Sequence, residues 1–269
     1  MTAISKADFS KAAGINGLPL LSSFLMNTLK IDAFNSMMEN ARALKGVAFA
    51  DHLLKILGVT IIIDNEALAR IPTDGAFITV ANHPYGAIES LALLSILAKK
   101  RPETLFMGNF LLKKVPNLAD HIIAVNPFEN IKDASSISGL KTTLKVLKEG
   151  VPVAIFPAGE VSSYCFKKNQ ITDKEWHPVV GKIIAKANQP ILPVYFHGNN
   201  GLLFSLARFI HPSLQTIMLF SQLFNKRGHK LYVKIGPPIL PGEVAEHHSN
   251  GTTLSYLREK TYAMGSGLK

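Results

Sequence analysis

Apolar positions recur along this chain with two periods, and the switch between them lays out the fold. At Leu20, Leu21, Phe24, Leu25 and Leu29, and again at Phe34, Met37, Met38, Ala41 and Leu44, the spacing is helical. Such stripes either pack on the protein's own core or form an amphipathic pair that docks on a membrane. A third helix is expected over residues 47–57, closed by Gly58, and the β-branched run 59–63 reads as a strand. Beyond it, strands are predicted at 76–81, 104–108, 121–125, 151–156, 191–196 and 231–235. Helices are predicted at 84–100, 138–148 and 178–187. Alternation of this kind implies an α/β fold: a mixed, largely parallel sheet covered by helices, behind a helical lead. No repeat or low-complexity linker interrupts it, so the expected division is a lead over 1–50 and one domain over 51–269.

Composition narrows the class. Of 269 residues, 47% are apolar and 18% charged, which excludes a disordered chain. A single cysteine, Cys165, excludes a disulfide scaffold or a thiolate metal site and fits a reducing compartment. No signal peptide is read at the N-terminus, and no run reaches the ~18 apolar residues of a membrane span. The formal charge is +10 and uneven: residues 99–234 hold 19 basic and 8 acidic side chains. No carboxylate occurs between Glu175 and Glu243, whereas Lys182, Lys186, Arg208, Lys226, Arg227, Lys230 and Lys234 do. An anionic partner is implied: nucleic acid, an anionic lipid surface or an acidic carrier protein. Helix-turn-helix, zinc-finger and aromatic-basic RNA motifs are lacking, so nucleic acid is not expected.

Chemistry in α/β proteins gathers where strands end. After 76–81 comes Asn82-His83-Pro84-Tyr85-Gly86-Ala87-Ile88-Glu89, which puts a histidine at a strand-to-helix turn with Pro84 at the first helical position. His83 and Glu89 are six apart and fall on different faces of a regular helix. They meet only if His83 stays outside it and folds back over its start; otherwise both are simply exposed. If they meet, the carboxylate fixes the imidazole tautomer and leaves the other nitrogen as a base. After 151–156 comes Pro157-Ala158-Gly159-Glu160-Val161-Ser162, a turn whose backbone N–H groups can face an anion. No nucleophile elbow, P-loop, dinucleotide fingerprint or zinc motif is found, and no metal or cofactor is expected. His247-His248 reads as a solvated pair in a polar loop.

Together these segments resemble the lysophospholipid acyltransferase family, of the 1-acylglycerol-3-phosphate type. The likeness covers about residues 50–240. It rests on four motifs in order: Asn82-His83 through Glu89, Phe106-Met107-Gly108-Asn109 with Lys113-Lys114-Val115-Pro116, Phe156-Pro157-Ala158-Gly159, and Ile191-Leu192-Pro193-Val194. The departures are specific. Five residues rather than four separate His83 from its acid, which is Glu89 rather than Asp. Ala158 replaces a Glu, and Glu160-Val161 replaces a Thr-Arg whose Arg is associated with an acceptor phosphate. These changes resemble a bacterial branch often labelled hemolysin-like, which includes O-acyltransferases of ornithine and glycine lipids. His197-Gly198-Asn199-Asn200, Asn225-Lys226-Arg227-Gly228 and residues 257–262 strengthen that likeness.

The resemblance implies transfer of a fatty acyl group from acyl-CoA or acyl-carrier protein to a lyso-lipid hydroxyl, with an amino-acid lyso-lipid as acceptor. Its alternatives are lysophosphatidate acylation and a non-catalytic lipid-binding protein. It places the catalytic pair at His83 and Glu89. Substrate contacts fall at Asn82, Gly108, Asn109, Lys113, Phe156, Pro157, Gly159 and Glu160, where Glu160 either meets an acceptor ammonium or forms an ordinary salt bridge. Oxyanion donors are expected among the backbone N–H groups of 159–161 or of the His83 turn. The expected location is peripheral, on the cytoplasmic face of the inner membrane.

Overall fold

Ile78-Thr79-Val80-Ala81 is buried at every position, which requires a strand covered on both faces. The structure, a computed structural model, describes residues 5, 6, 10, 19–125, 134–210, 212–249 and 251–268. Half of the N-terminal stretch read for a targeting signal lies outside them. Seven strands form one sheet in the order β1 (Thr60–Ile62), β9 (Lys230–Ile235), β8 (Ile191–Phe196), β2 (Ile78–Ala81), β5 (Val153–Ile155), β3 (Leu105–Asn109) and β4 (Ile122–Val125). The five strands from β8 to β4 are mutually parallel. β9 runs antiparallel to β8, and β1 is parallel to β9. The sheet is therefore mixed and largely parallel. The carboxyl ends of β8, β2, β5 and β3 share one edge.

Each face of the sheet has its own apolar layer. On one, Phe77 and Ala81 pack with Phe49 and Leu53 of α3 (Gly46–Ile56) and with Leu93 and Leu97 of α5 (Ile88–Lys100). On the other, Ile78, Val80 and Val153 meet Leu147 of α6 (Ala134–Lys148), Ile183 and Ile184 of α7 (Pro178–Ala187), and Leu257 of α11 (Thr253–Ala263). α5 is apolar nearly all round, as a helix enclosed by the protein must be.

The helical lead is not separate from this core. α1 (Pro19–Thr28) and α2 (Ile31–Asn40) are followed by α3, which runs through the expected boundary at residue 50. Met37 and Ala41 belong to the main core. Met26 and Ile31 form a smaller cluster against Phe220 of α9 (Pro212–Asn225), while Leu20 and Phe24 face outward. One side of the N-terminal stripes thus packs on the core, and the other is bare.

Three expectations need correction. The helix predicted over 84–100 begins at Ile88, because the amides of Tyr85 and Gly86 donate to the Glu89 carboxylate and Gly86 takes φ +94°. Pro84 therefore lies in a turn, not at the first helical position. His247 and His248 sit on α10 (Pro241–Ser249) rather than in a loop, and His247 stacks on Tyr256. Among the cations with no carboxylate nearby in sequence, Arg208 pairs with Glu160 and Lys234 with Asp64. Further elements lie outside those expected: the short α4 (Asn65–Ala69), the hairpin β6 (Ser163–Cys165) and β7 (Gln170–Thr172), and α8 (Leu202–Ile210). No described helix is long and apolar enough to cross a membrane.

Candidate functional site

The edge where the parallel strands end brings together what the sequence separates by 74 residues. β2 delivers Asn82 and His83, β5 delivers Phe156 and the turn after it, and the His83 ring stacks on Phe156 with centroids 4.2 Å apart. His83 stays outside α5 and folds back over its start. Its Nδ1 lies 3.0 Å from Oε1 of Glu89, whose side chain is fully buried, whereas His83 keeps 15% of its own surface exposed. The approach is out of line for a straight hydrogen bond, so the contact is mainly electrostatic. With Nδ1 turned to the carboxylate, Nε2 is the nitrogen left for substrate.

Glu89 has a second task. Its Oε1 accepts from Tyr85 N at 2.8 Å and Gly86 N at 2.6 Å, so one carboxylate both shapes the turn and faces the imidazole. Gly86 is closely packed in this turn. A Cβ there would lie 2.7 Å from Leu219 and 2.8 Å from Val161, and φ is in the left-handed region. Only glycine allows the His83 turn and the 157–163 turn to approach so closely.

Several buried groups hold His83 from behind, and sequence reasoning missed most of them. Asp173 Oδ1 accepts from His83 N at 3.1 Å and from the Ser162 hydroxyl at 2.5 Å, and its Oδ2 accepts from Trp176 Nε1 at 3.2 Å. Burial pushes the Asp173 carboxyl above the usual carboxylate range, and the Ser162 and His83 hydrogen bonds partly offset that rise. Ser162 N returns a bond to His83 O at 2.8 Å, which ties the two turns together. Tyr85 donates its hydroxyl to His197 O, and burial and the Glu89 charge push its ionisation well up, so it stays a neutral donor. Lys226 lies over the Tyr85 ring, where burial lowers its pKa against the pull of Glu89. The signal for Asp173 was faint: a Lys-Lys-Asn-Gln stretch marks the hairpin turn, at which Asn169 takes φ 48°.

The remaining predicted contacts fall into different roles. Asn82 is buried, and both ends of its amide go to the Phe196 backbone, at 2.8 Å and 2.7 Å. It extends the β2–β8 pairing and places its neighbour His83 instead of presenting an amide to a ligand. Asn82→Ala should lower stability by about 1–3 kcal/mol through unpaired buried groups, read as a loss of thermal midpoint. Gly108 and Asn109 close β3 on the same edge as His83. The Lys113 ammonium donates to Ala119 O and Ile122 O, so it fastens the loop after β3. Pro157 is buried and its carbonyl accepts from His177 N. Gly159 turns the chain at φ +69° with its amide on Phe156 O. Glu160 has one carboxylate oxygen on Lys174 and the other on Arg208. An acceptor ammonium would have to displace two cations there.

The amides of His83, Tyr85, Gly86, Gly159 and Ser162 are thus committed. Glu160 N and Val161 N, on the turn that packs against Gly86, have no such acceptor among the described residues. A cavity of about 240 Å³ lined by Asp64, Arg70 and Lys234 lies by the end of β9 that runs away from His83, and it contains none of these groups.

The model of the family described as acyltransferase matches residues 5–269. A lyso-glycine lipid O-acyltransferase of Phocaeicola vulgatus is 24% identical over 228 residues, covering 81% of this chain and 77% of its own length. One of the same description from Bacteroides thetaiotaomicron is 23% identical over 224 residues, covering 81% and 79%. Among solved structures, the 1-acyl-sn-glycerophosphate acyltransferase of Thermotoga maritima aligns over 91% of this chain and 94% of its own, with a TM-score of 0.49 and 16% identity.

Proposed function

The chain belongs to the acyltransferase family, and from that premise we propose that it moves a fatty acyl group from an acyl thioester to the hydroxyl of an amino-acid lyso-lipid at a membrane surface. The observation that carries this reading is the His83–Glu89 pair at the sheet edge, with Nδ1 3.0 Å from the buried carboxylate. An aliphatic hydroxyl is protonated at neutral pH and attacks a thioester poorly. A base aligned on its proton lowers that barrier. His83 Nε2 takes the proton as the oxygen attacks, and the buried Glu89 carboxylate stabilises the imidazolium that forms. The thioester oxygen gains charge in the tetrahedral transition state and is met by Glu160 N and Val161 N. Collapse expels the thiolate, which regains a proton from His83. Base, acceptor and donor meet in one complex, so no acyl-enzyme is needed. Acyl-carrier protein and acyl-CoA are both anionic donors that suit the basic stretch 99–234.

What supports an amino-acid acceptor is the pair of relatives described as lyso-glycine lipid O-acyltransferases and the charge around Glu160. A glycine acylated on nitrogen presents a carboxylate and no ammonium. Arg208 and Lys174 outnumber Glu160 by one charge beside the catalytic turns, and Arg208 also donates to the Ser163 hydroxyl. Arg208 is the group we assign to the head-group carboxylate. Arg208→Gln should raise KM for the lyso-lipid by about 10–150-fold with kcat little changed, since a charge-assisted hydrogen bond is worth ~1.5–3 kcal/mol.

The test is an acceptor panel. Purified protein is given one thioester donor with lyso-glycine lipid, lyso-ornithine lipid or lysophosphatidate, and the ester product is measured. The reading predicts fastest transfer to an amino-acid lyso-lipid. Preference for lysophosphatidate would replace it with the glycerolipid reading, and transfer to none would remove it.

A further inference from the structure

α8 lies at the surface with apolar side chains on its outward side as well as on its packed side. Its inner face is packed: Phe204 and Ser205 are fully buried and Ala207 nearly so. Its outer face is not. Leu202, Leu203 and Phe209 are 55%, 80% and 55% exposed, and at helical spacing they form one stripe. The stripe continues onto a second element. Phe166, 68% exposed at the tip of the β6–β7 hairpin, lies with its ring centroid 5.1 Å from that of Phe209. Two aromatic rings side by side in water, joined to two bare leucines, form a patch that a lone soluble chain does not need.

The charges around the patch say what covers it. Phe166 is followed by Lys167 and Lys168, both exposed and without a carboxylate partner among the described residues. No acidic residue occurs in α8, in α9 or anywhere between Glu175 and Glu243. A second copy placed on this face would bring like charges toward one another. An anionic bilayer offers acyl chains to the rings and leucines and phosphates to the lysines. The position fits as well, because α8 and β6 join the patch to the catalytic turns. Arg208 donates to Ser163 at 3.0 Å, and the adjacent Ser162 is bonded to the His83 backbone.

We propose that the outer face of α8 and the tip of the β6–β7 hairpin form a docking surface for an anionic bilayer, with Phe166, Leu203 and Phe209 inserted and Lys167 and Lys168 on the head groups. The inference rests on the reading that the acceptor is a membrane lipid, and it names the side by which that lipid arrives. It is distinct from the bare side of α1, whose exposed Leu20 and Phe24 lie on another helix.

The experiment uses the full chain and two double variants, Phe166→Ser with Leu203→Ser and Lys167→Gln with Lys168→Gln. All four side chains are exposed and outside the catalytic turns, and retention of the thermal midpoint checks the fold. Binding is measured to vesicles of phosphatidylcholine alone and of phosphatidylcholine and phosphatidylglycerol in equal parts. The wild type should prefer the anionic vesicles. The lysine variant should bind them about thirty-fold more weakly, from ~1 kcal/mol per surface lysine. The apolar variant should lose at least about tenfold on the same vesicles. Transfer to a short-chain acceptor dissolved as monomers should be unchanged in both. Binding by both variants equal to wild type overturns the proposal. So does a wild-type dimer that dissociates in the apolar variant while vesicle binding persists, which would assign the patch to a second copy. If the wild type acylates no lyso-lipid but the variants lose vesicle binding, the docking surface stands and the acyl-acceptor reading falls.

Discussion

His83→Ala should lower kcat for acyl transfer by about 10²–10⁴-fold, with KM for donor and acceptor nearly unchanged. The size follows from the acceptor: without a base at the attacking hydroxyl, the proton must leave to water in a site arranged to hold it elsewhere. The split between kcat and KM follows from timing, since the proton is in motion only in the transition state. The fold should survive. The two backbone bonds at this residue, from His83 N to Asp173 and from Ser162 N to His83 O, do not use the imidazole. The side chain's main packing contact is the Phe156 ring. A circular dichroism spectrum and thermal midpoint matching wild type, beside the kinetic loss, would separate chemistry from collapse. A midpoint that fell with the activity would assign His83 a structural part instead.

Glu89 gives the second large effect, and here two substitutions should diverge. In Glu89→Gln the amide oxygen can still accept from Tyr85 N and Gly86 N, so the turn persists, but the charge facing His83 Nδ1 is gone. The imidazolium formed during attack then lacks its counter-charge, and the tautomer is no longer imposed. A fall in kcat on the order of 10²–10⁴-fold is expected, with the thermal midpoint held or raised because a buried charge has been removed. In Glu89→Ala the same kinetic loss should come with about 2–6 kcal/mol of lost stability, since two buried amides lose their acceptor at ~1–3 kcal/mol each. Equal stability in the two variants would show that the turn does not depend on this carboxylate. Near-full activity in Glu89→Gln would remove the charge from the mechanism.

The alternation of apolar runs was enough to place the sheet, because buried parallel strands such as β2 and β5 read as unbroken apolar stretches. It failed where structure depends on partners distant in sequence. β6 and β7 are three residues each, too short to show a period. The motif around His83 was legible because its two members lie within one turn. That they touch was not legible, since six residues apart on a regular helix is the wrong face. Gly86 resolves it by leaving the helix until Ile88. Asp173 was barely legible. It reaches His83 from just past the hairpin, ninety residues downstream, and a single Asp at a strand end carries no pattern. Asn82 and Lys113 show the converse limit. A motif marks residues needed at a site without saying whether they touch a ligand or hold the backbone that does.

The most direct test measures free thiol and ester product together, in wild type and His83→Ala side by side, as the lyso-lipid acceptor is raised from zero at fixed acyl thioester. The account predicts no thiol release by the wild type without acceptor, then one thiol for each O-acyl ester formed, and a rate at least a hundredfold lower in the variant. Release that does not depend on the acceptor, or that His83→Ala supports as well as wild type, would contradict it.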